Sequence, residues 1–103
     1  MNKENFMIEV EQAFLRSKRV LLKKEKEYSS HDDRLDQFHR VAAACDTNCT
    51  HALLGMMMKH VTSIADMAKD PTLYNLRKWR EKVTDLRNYT FLLDALLKDI
   101  GVE

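Results

Sequence analysis

The sequence predicts an all-α fold, an antiparallel bundle of about four helices in a single domain spanning residues 1–103. Glycine and proline are scarce, with two glycines and one proline in the whole chain, whereas all-β folds need many turn residues. Apolar residues also recur three and four positions apart over most of the chain, which is the spacing of one helix face. A chain of 103 residues can form one modest hydrophobic core.

Two helices are predicted before residue 46, the first over about 5–28 and the second ending at about residue 45. Apolar residues recur at helical spacing in both segments. Between them, Ser30 and Asp33 are typical of a helix start, because such side chains cap free backbone N–H groups. The apolar faces consist of Phe6, Val10, Phe14 and Leu21 in the first helix and of Leu35, Phe38, Val41, Ala42 and Cys45 in the second.

Two longer helices are predicted in the rest of the chain. The third covers about 49–68 and follows a turn whose residues, 46–48, include good N-cap side chains. The fourth runs from near Leu73 to Asp99, since Pro71 is tolerated in the first turn of a helix and Gly101 suits its end. The apolar face of the third helix consists of Leu53, Met56, Met57, Ile64 and Met67, with His60 in its middle.

The fourth predicted helix is apolar on two sides. A helix of this kind must be covered on both sides. In a domain this small we expect one side to pack in the core and the other against a second subunit, which predicts a homodimer or homotetramer. The expected core stripe is Leu76, Trp79, Val83, Leu86 and Leu93, and the expected interface stripe is Tyr89, Leu92 and Leu96.

Charged residues are abundant but balanced. The 17 lysines and arginines and 16 acidic residues leave a net charge of +1, so no overall field attracts nucleic acid or an anionic membrane. Apolar runs are far shorter than the roughly 20 residues that span a bilayer. The polar start, residues 1–5, does not resemble a signal peptide. We therefore expect a cytoplasmic protein with neither nucleic acid nor membrane as a partner.

Cys45, Cys49 and His51 lie close together in the sequence. One interpretation is a zinc site completed by a distant fourth ligand. Zinc sites usually combine two pairs of ligands, however, and the chain has no second cysteine pair. The sequence favours the other interpretation, two reduced thiols in a reducing compartment.

Polar residues form two stripes on the third and fourth helices, because residues three and four apart share a helix face. Such groups beside an apolar surface can build a metal or phosphate pocket, or can be ordinary solvated faces. His60 likewise suits a core histidine bonded to a neighbour. The stripes are Lys59, Ser63 and Asp66 on the third helix, and Glu81, Asp85 and Asn88 on the fourth.

Several short motifs follow one another between about Leu21 and Leu97. They are Lys24-Glu25-Lys26-Glu27-Tyr28, Asp33-Arg34-Leu35 with Phe38 and Ala42, Met57-Met58-Lys59-His60 with Ser63 and Asp66, and Glu81-Lys82 with Asp85 and Asn88-Tyr89. Their order and spacing resemble those of small proteins encoded by phages and prophages. These proteins are similar to distant members of the all-α nucleoside triphosphate pyrophosphohydrolase superfamily, which has the MazG-like fold.

The resemblance implies an oligomeric helical subunit that cleaves nucleoside triphosphates to monophosphates and pyrophosphate with magnesium. This chemistry needs several carboxylates on adjacent helices, because magnesium prefers oxygen ligands and bridges phosphate oxygens. The family's usual pattern is two acidic pairs, Glu-x-x-Glu or Glu-x-x-Asp, on consecutive helices. Here Asp85 matches the last acid of the second pair, but Lys82 stands in place of its partner. Asp66 is the only acid in the region of the first pair.

Three functions remain open from the sequence: a magnesium-dependent pyrophosphohydrolase, a nucleotide-binding or sequestering protein without catalysis, and a helical interaction module that interferes with a host through its surfaces. Lys82 and the missing acids of the third helix favour the second function over the first. The family resemblance favours either over the third. The candidate residues are Asp66, Glu81 and Asp85 for magnesium, and Lys24, Tyr28, Arg34, Lys59, His60 and Asn88 for the nucleotide and its phosphates.

Overall fold

The structure, a computed structural model, consists of four α-helices packed against each other. It describes residues 1–28 and 33–103, with side chains described for 1–24 and 33–103. The all-α prediction is confirmed. The helices are α1 (Lys3–Tyr28), α2 (Asp36–Ala44), α3 (Cys49–Ala68) and α4 (Leu76–Asp99), and a short 3-10 turn covers Pro71–Leu73.

Asparagine side chains cap the N-terminal ends of α3 and α4. The Asn48 side-chain oxygen accepts a hydrogen bond from the backbone N–H of His51 at 2.8 Å, and Asn75 accepts one from Lys78 at 2.8 Å. Each bond satisfies a backbone donor that has no partner inside the helix. The sequence-based start of α4 near Leu73 is therefore wrong by one turn. Pro71 begins the separate 3-10 turn instead.

The C-terminal ends of α2 and α4 have the same backbone geometry. Asp46 and Gly101 adopt φ values of 52° and 86°, directly after each helix. Their successors donate backwards to the helix, Thr47 to the carbonyl of Ala42 at 2.9 Å and Val102 to that of Leu97 at 3.0 Å. This is the Schellman pattern, which satisfies carbonyls of the last turn. The predicted stop at Gly101 is confirmed.

The hydrophobic core lies where α2, α3 and α4 meet. Phe38 from α2, Leu53 from α3 and Leu96 from α4 are fully buried, with Leu35 beside them. Partly buried side chains extend this cluster. Burial of a large apolar side chain contributes about 1.5–3 kcal/mol, so this three-helix contact is the main source of stability. The flanking residues are Cys49, Met56, Tyr89, Leu92 and Leu93.

The two apolar sides of α4 do not divide as predicted, although Leu93 of the expected core stripe does pack against the core. Leu96, expected in a subunit interface, is fully buried inside the chain, and Tyr89 and Leu92 pack against the same core. Leu76 and Val83, expected in the core, are 62% and 38% exposed. The prediction failed because α2 and α3 of the same chain cover the Leu96 side.

The first helix packs differently from the others. Among the elements that the structure describes, α1 contacts only α4. Phe6 and Phe14, predicted on its buried face, are each more than half exposed. The contact with α4 is centred instead on Ser17, of which 1% is exposed. Within the described residues, no helix is both long and apolar enough to cross a membrane.

Candidate functional site

A cleft of about 660 Å³ lies between α1 and α4. Both helices contribute cationic side chains to its walls, six in total, against two carboxylates. A chain with a net charge of +1 therefore concentrates positive charge at one place, which attracts anions. The lining residues are Arg16, Arg19, Val20, Lys23 and Lys24 from α1, and Arg77, Arg80, Glu81, Thr84 and Asp85 from α4.

Helical spacing accounts for this convergence of charge. In α1, Arg16, Arg19 and Lys23 are three and four residues apart, so their side chains share one face. In α4, Arg77 and Arg80 repeat the same spacing. The contact between the two helices brings both faces to a single cleft.

Arg87, beside the cleft, forms its hydrogen bonds with uncharged groups. Arg87 donates hydrogen bonds to the carbonyl of Ala13 at 3.1 Å and to the Ser17 hydroxyl at 2.8 Å, both uncharged acceptors. Burial lowers the pKa of Arg87, and repulsion by the charge of Arg16 lowers it further. Within the described ranges, the buried Nε of Arg16 has no hydrogen-bond partner. This part of the α1–α4 contact therefore has an excess of positive charge.

The two carboxylates of the cleft lie one turn apart on α4. Asp85 is paired with Lys24 across the α1–α4 contact, at 3.5 Å between Nζ and Oδ1. Glu81 is exposed. At the other end of the contact, Arg80 lies 3.7 Å from the carboxylate of Glu9. Asp85 and Glu9 thus offset two of the positive charges, and Glu81 faces solvent.

A second, smaller cavity of about 40 Å³ adjoins the cleft. Lys24 and Asp85 line both spaces, and α2 closes the smaller one. Its volume suits one water molecule or one small polar group of a ligand. The lining residues are Leu21, Lys24, Arg34, Gln37, Asp85, Asn88, Tyr89 and Leu92.

Asn88 is the most deeply buried polar residue of this cavity, with 5% of its surface exposed. Its Nδ2 donates to the carbonyl of Ser17 at 3.3 Å, but its Oδ1 has no hydrogen-bond partner among the residues that the structure describes. A buried acceptor left without a donor costs about 1–3 kcal/mol. A buried amide oxygen that is left unpaired in this way is typical of a group that accepts a hydrogen bond from a bound molecule.

Several of the predicted site residues lie together. Lys24, Arg34, Asp85 and Asn88 share the small cavity, and Glu81 lies in the adjoining cleft. His60 packs its ring on Tyr89, with centroids 5.0 Å apart, and is half-buried beside the core as its apolar surroundings suggest. The side chain of Tyr28 lies outside the described residues.

Other predicted site residues are elsewhere. Lys59 is exposed on α3 and does not line the cleft or the small cavity. Asp66 is also exposed on α3 and pairs with Lys69 at 3.4 Å. The expectation that Asp66 lies with Glu81 and Asp85 is wrong, because its carboxylate points to solvent on a helix that does not line the cleft.

The described residues do not form a magnesium or zinc site on their own. No group of three or more His, Cys, Asp or Glu side chains within the described ranges is arranged to hold a metal ion. Of the two carboxylates of the cleft, Asp85 is paired with Lys24 and Glu81 is exposed to solvent. Cys45 and Cys49 are free thiols.

Five cationic residues of the cleft were not predicted from the sequence: Arg16, Arg19, Lys23, Arg77 and Arg80. Their helical spacing was a usable signal within each helix. Their distribution over two helices far apart in the chain hid the cluster, and the balanced net charge masked it further.

Comparisons of the chain with protein-family models, with curated proteins and with solved structures found no match.

Proposed function

We propose that this chain binds the phosphate groups of a nucleoside phosphate in the cleft between α1 and α4. The proposal rests on one observation. Six cationic side chains line one cleft that has two carboxylates. Arginine suits this task because its planar guanidinium group offers several donors to phosphate oxygens. The volume of about 660 Å³ lies in the range of small-molecule sites.

The smaller cavity supports a ligand with a polar group besides its phosphates. Asn88 Oδ1 lacks a donor there, and Lys24 and Asp85 connect this cavity to the cleft. A sugar hydroxyl or a base amino group would supply the missing hydrogen bond. We therefore infer a nucleotide rather than inorganic phosphate alone.

We place binding without hydrolysis first among the candidate activities. Pyrophosphohydrolase chemistry needs several carboxylates around magnesium, and the cleft has Glu81 and a lysine-paired Asp85. In this proposal, magnesium binds only together with the nucleotide, next to Glu81. A sequestering protein needs affinity and no further chemistry. The residues of the cleft fit that role.

A nucleotide panel tests this proposal by isothermal titration calorimetry. Mono-, di- and triphosphates of each base, inorganic triphosphate and a short single-stranded oligonucleotide are titrated with and without magnesium. We expect at least one nucleotide to bind more tightly than inorganic triphosphate, with an affinity that falls as salt rises. Product analysis of the same mixtures shows whether any triphosphate is hydrolysed. Binding of the oligonucleotide alone, or of no panel member, would overturn the proposal.

Charge reversals locate the site. Arg19→Glu changes an exposed residue of the cleft, and we expect it to weaken binding by about tenfold or more, or about 1.4 kcal/mol. Lys59→Glu is the matched control, because Lys59 is an exposed cation on α3 outside the cleft. Equal losses in the two variants would show that the cleft is not the site.

A further inference from the structure

The outer face of α1 carries five large apolar side chains that the described part of the chain covers only in part. Roughly half of each one is exposed, from 48% for Ile8 to 55% for Phe14 and Leu15. Since α1 contacts only α4 among the described elements, the cover that this face has within the described chain comes from α4, whose Phe91 ring lies 6.2 Å from that of Phe14. The five residues, which we call the outer face of α1, are Met7, Ile8, Phe14, Leu15 and Leu22.

The spacing of this face suits a second helix. Ile8, Leu15 and Leu22 are seven residues apart, the repeat that keeps one seam facing a partner helix along its length. Met7 and Phe14 are also seven residues apart, and they lie next to this line of residues. The apolar line therefore covers about 21 Å of the helix.

Charges between these side chains select the direction of the partner. Glu4 and Glu11 lie in the first half of the face and Lys18 in the second. A parallel copy would place each charge beside its own kind, which is unfavourable. An antiparallel copy would place Glu11 opposite Lys18, and the same pair would form twice by symmetry.

The apolar residues match within one residue of that alignment. With the twofold axis beside Leu15, this leucine meets its own copy, and Ile8 meets Leu22 of the second copy. The five half-exposed side chains would bury about 500 Å² per copy, or about 1,000 Å² in total, which reaches the lower limit for a specific dimer.

We propose that the protein forms a twofold dimer in which the outer faces of two α1 helices pack antiparallel. The occupant of this face is a second copy of the chain, because the charges complement themselves in the antiparallel direction and the apolar repeat also matches itself in that direction. The proposal does not depend on nucleotide binding, since none of the outer-face residues lines the cleft.

Molar mass and a leucine substitution test the dimer. By sedimentation equilibrium we expect about 24 kDa for the wild type, twice the 12.1 kDa of one chain. Leu15→Glu should reduce this mass to that of one chain, because two carboxylates would meet at the axis, while its circular dichroism keeps the helical signal. Leu54→Glu is the control, since Leu54 is an exposed leucine on α3, and it should remain dimeric. A monomeric wild type, or a dimeric Leu15→Glu protein, would overturn the proposal.

A charge swap tests the direction. Glu11→Lys and Lys18→Glu should each weaken the dimer by about tenfold or more, and the double variant should recover most of the affinity because the pair is restored with reversed sign. In a parallel dimer the double variant would gain nothing over the single ones. Failure of the double variant to recover therefore rejects the antiparallel pairing.

Disulfide crosslinking tests the alignment in a background with Cys45→Ala and Cys49→Ala. Leu15→Cys should crosslink to itself under oxidation, because the two positions meet at the axis. Ile8→Cys alone should remain uncrosslinked but should react when mixed with Leu22→Cys protein. Self-crosslinking of Ile8→Cys would indicate a parallel pair and contradict the proposal.

Discussion

The two faces of α4 differ in the chemistry of their contacts. Towards α2 and α3, Leu96 is fully buried with Phe38 and Leu53 in an apolar cluster. Towards α1, the buried contacts include polar ones, since Arg87 donates to the Ser17 hydroxyl and Asn88 to the Ser17 carbonyl, and the ring of Phe91 packs near that of Phe14 at 6.2 Å. One helix thus belongs to a hydrophobic core on one side and to a charged contact on the other.

This difference separates stability from binding. Apolar burial contributes about 25 cal/mol per Å², whereas a polar contact gains little, because its groups are also well solvated in the unfolded chain. The α1–α4 contact therefore holds polar groups that do little for folding, among them the unpaired oxygen of Asn88. We interpret the α2–α3–α4 side as the stabilising part of the molecule and the α1–α4 side as its binding part.

The largest effect is expected in the core. Leu96→Ala should lower the free energy of unfolding by about 2–5 kcal/mol, because it removes buried methyl groups and leaves a cavity. Leu76→Ala, the same change at a leucine of α4 that is 62% exposed, should stay within about 0.5 kcal/mol. Urea denaturation followed by circular dichroism measures both. A loss below about 1 kcal/mol at Leu96 would contradict the assignment of the core.

A smaller effect is expected where α1 meets α4. Arg87→Ala removes hydrogen bonds to Ala13 and Ser17 but also relieves the repulsion by Arg16 that lowers the pKa of Arg87. The net loss of unfolding free energy should be about 1 kcal/mol. Arg77→Ala, at an exposed arginine of the cleft, should change the same quantity by less than about 0.5 kcal/mol. A loss at Arg87 as large as that at Leu96 would mean that both faces of α4 stabilise the fold equally.

The smallest effect on stability is expected at Asn88. Asn88→Leu should leave the free energy of unfolding unchanged or slightly higher, because it removes a buried acceptor that has no donor. The same variant should weaken binding of the nucleotide with the highest affinity by about tenfold, because the ligand can no longer form a hydrogen bond with the amide. Asn75→Ala serves as the comparison, since loss of that helix cap costs about 1 kcal/mol. If Asn88→Leu proves clearly less stable than the wild type, Asn88 has a structural role.

The candidate site could be predicted from the sequence only in part. Glu81, Asp85 and Asn88 were found because one helix places residues three and four apart on one face, and their neighbours in space are indeed Lys24 and Arg34. Asp66 was assigned to the same site wrongly. Helical spacing shows on which face of α3 Asp66 lies, but the direction in which that face points depends on how α3 packs against α4.

The sequence by itself determined the four helices and most of their ends, although not the start of α4. Periodicity and turn residues are local properties, so the limits of α3, the Asn48 cap and the stop at Gly101 could be predicted from nearby residues. The tertiary structure alone decided which apolar side of α4 is buried and which cations meet. Leu96 lies in the core because α2 and α3 cover it, and Arg19 joins Arg80 in one cleft because α1 packs on α4. Both outcomes depend on contacts between segments that are distant in the sequence, and helical spacing has no information about them.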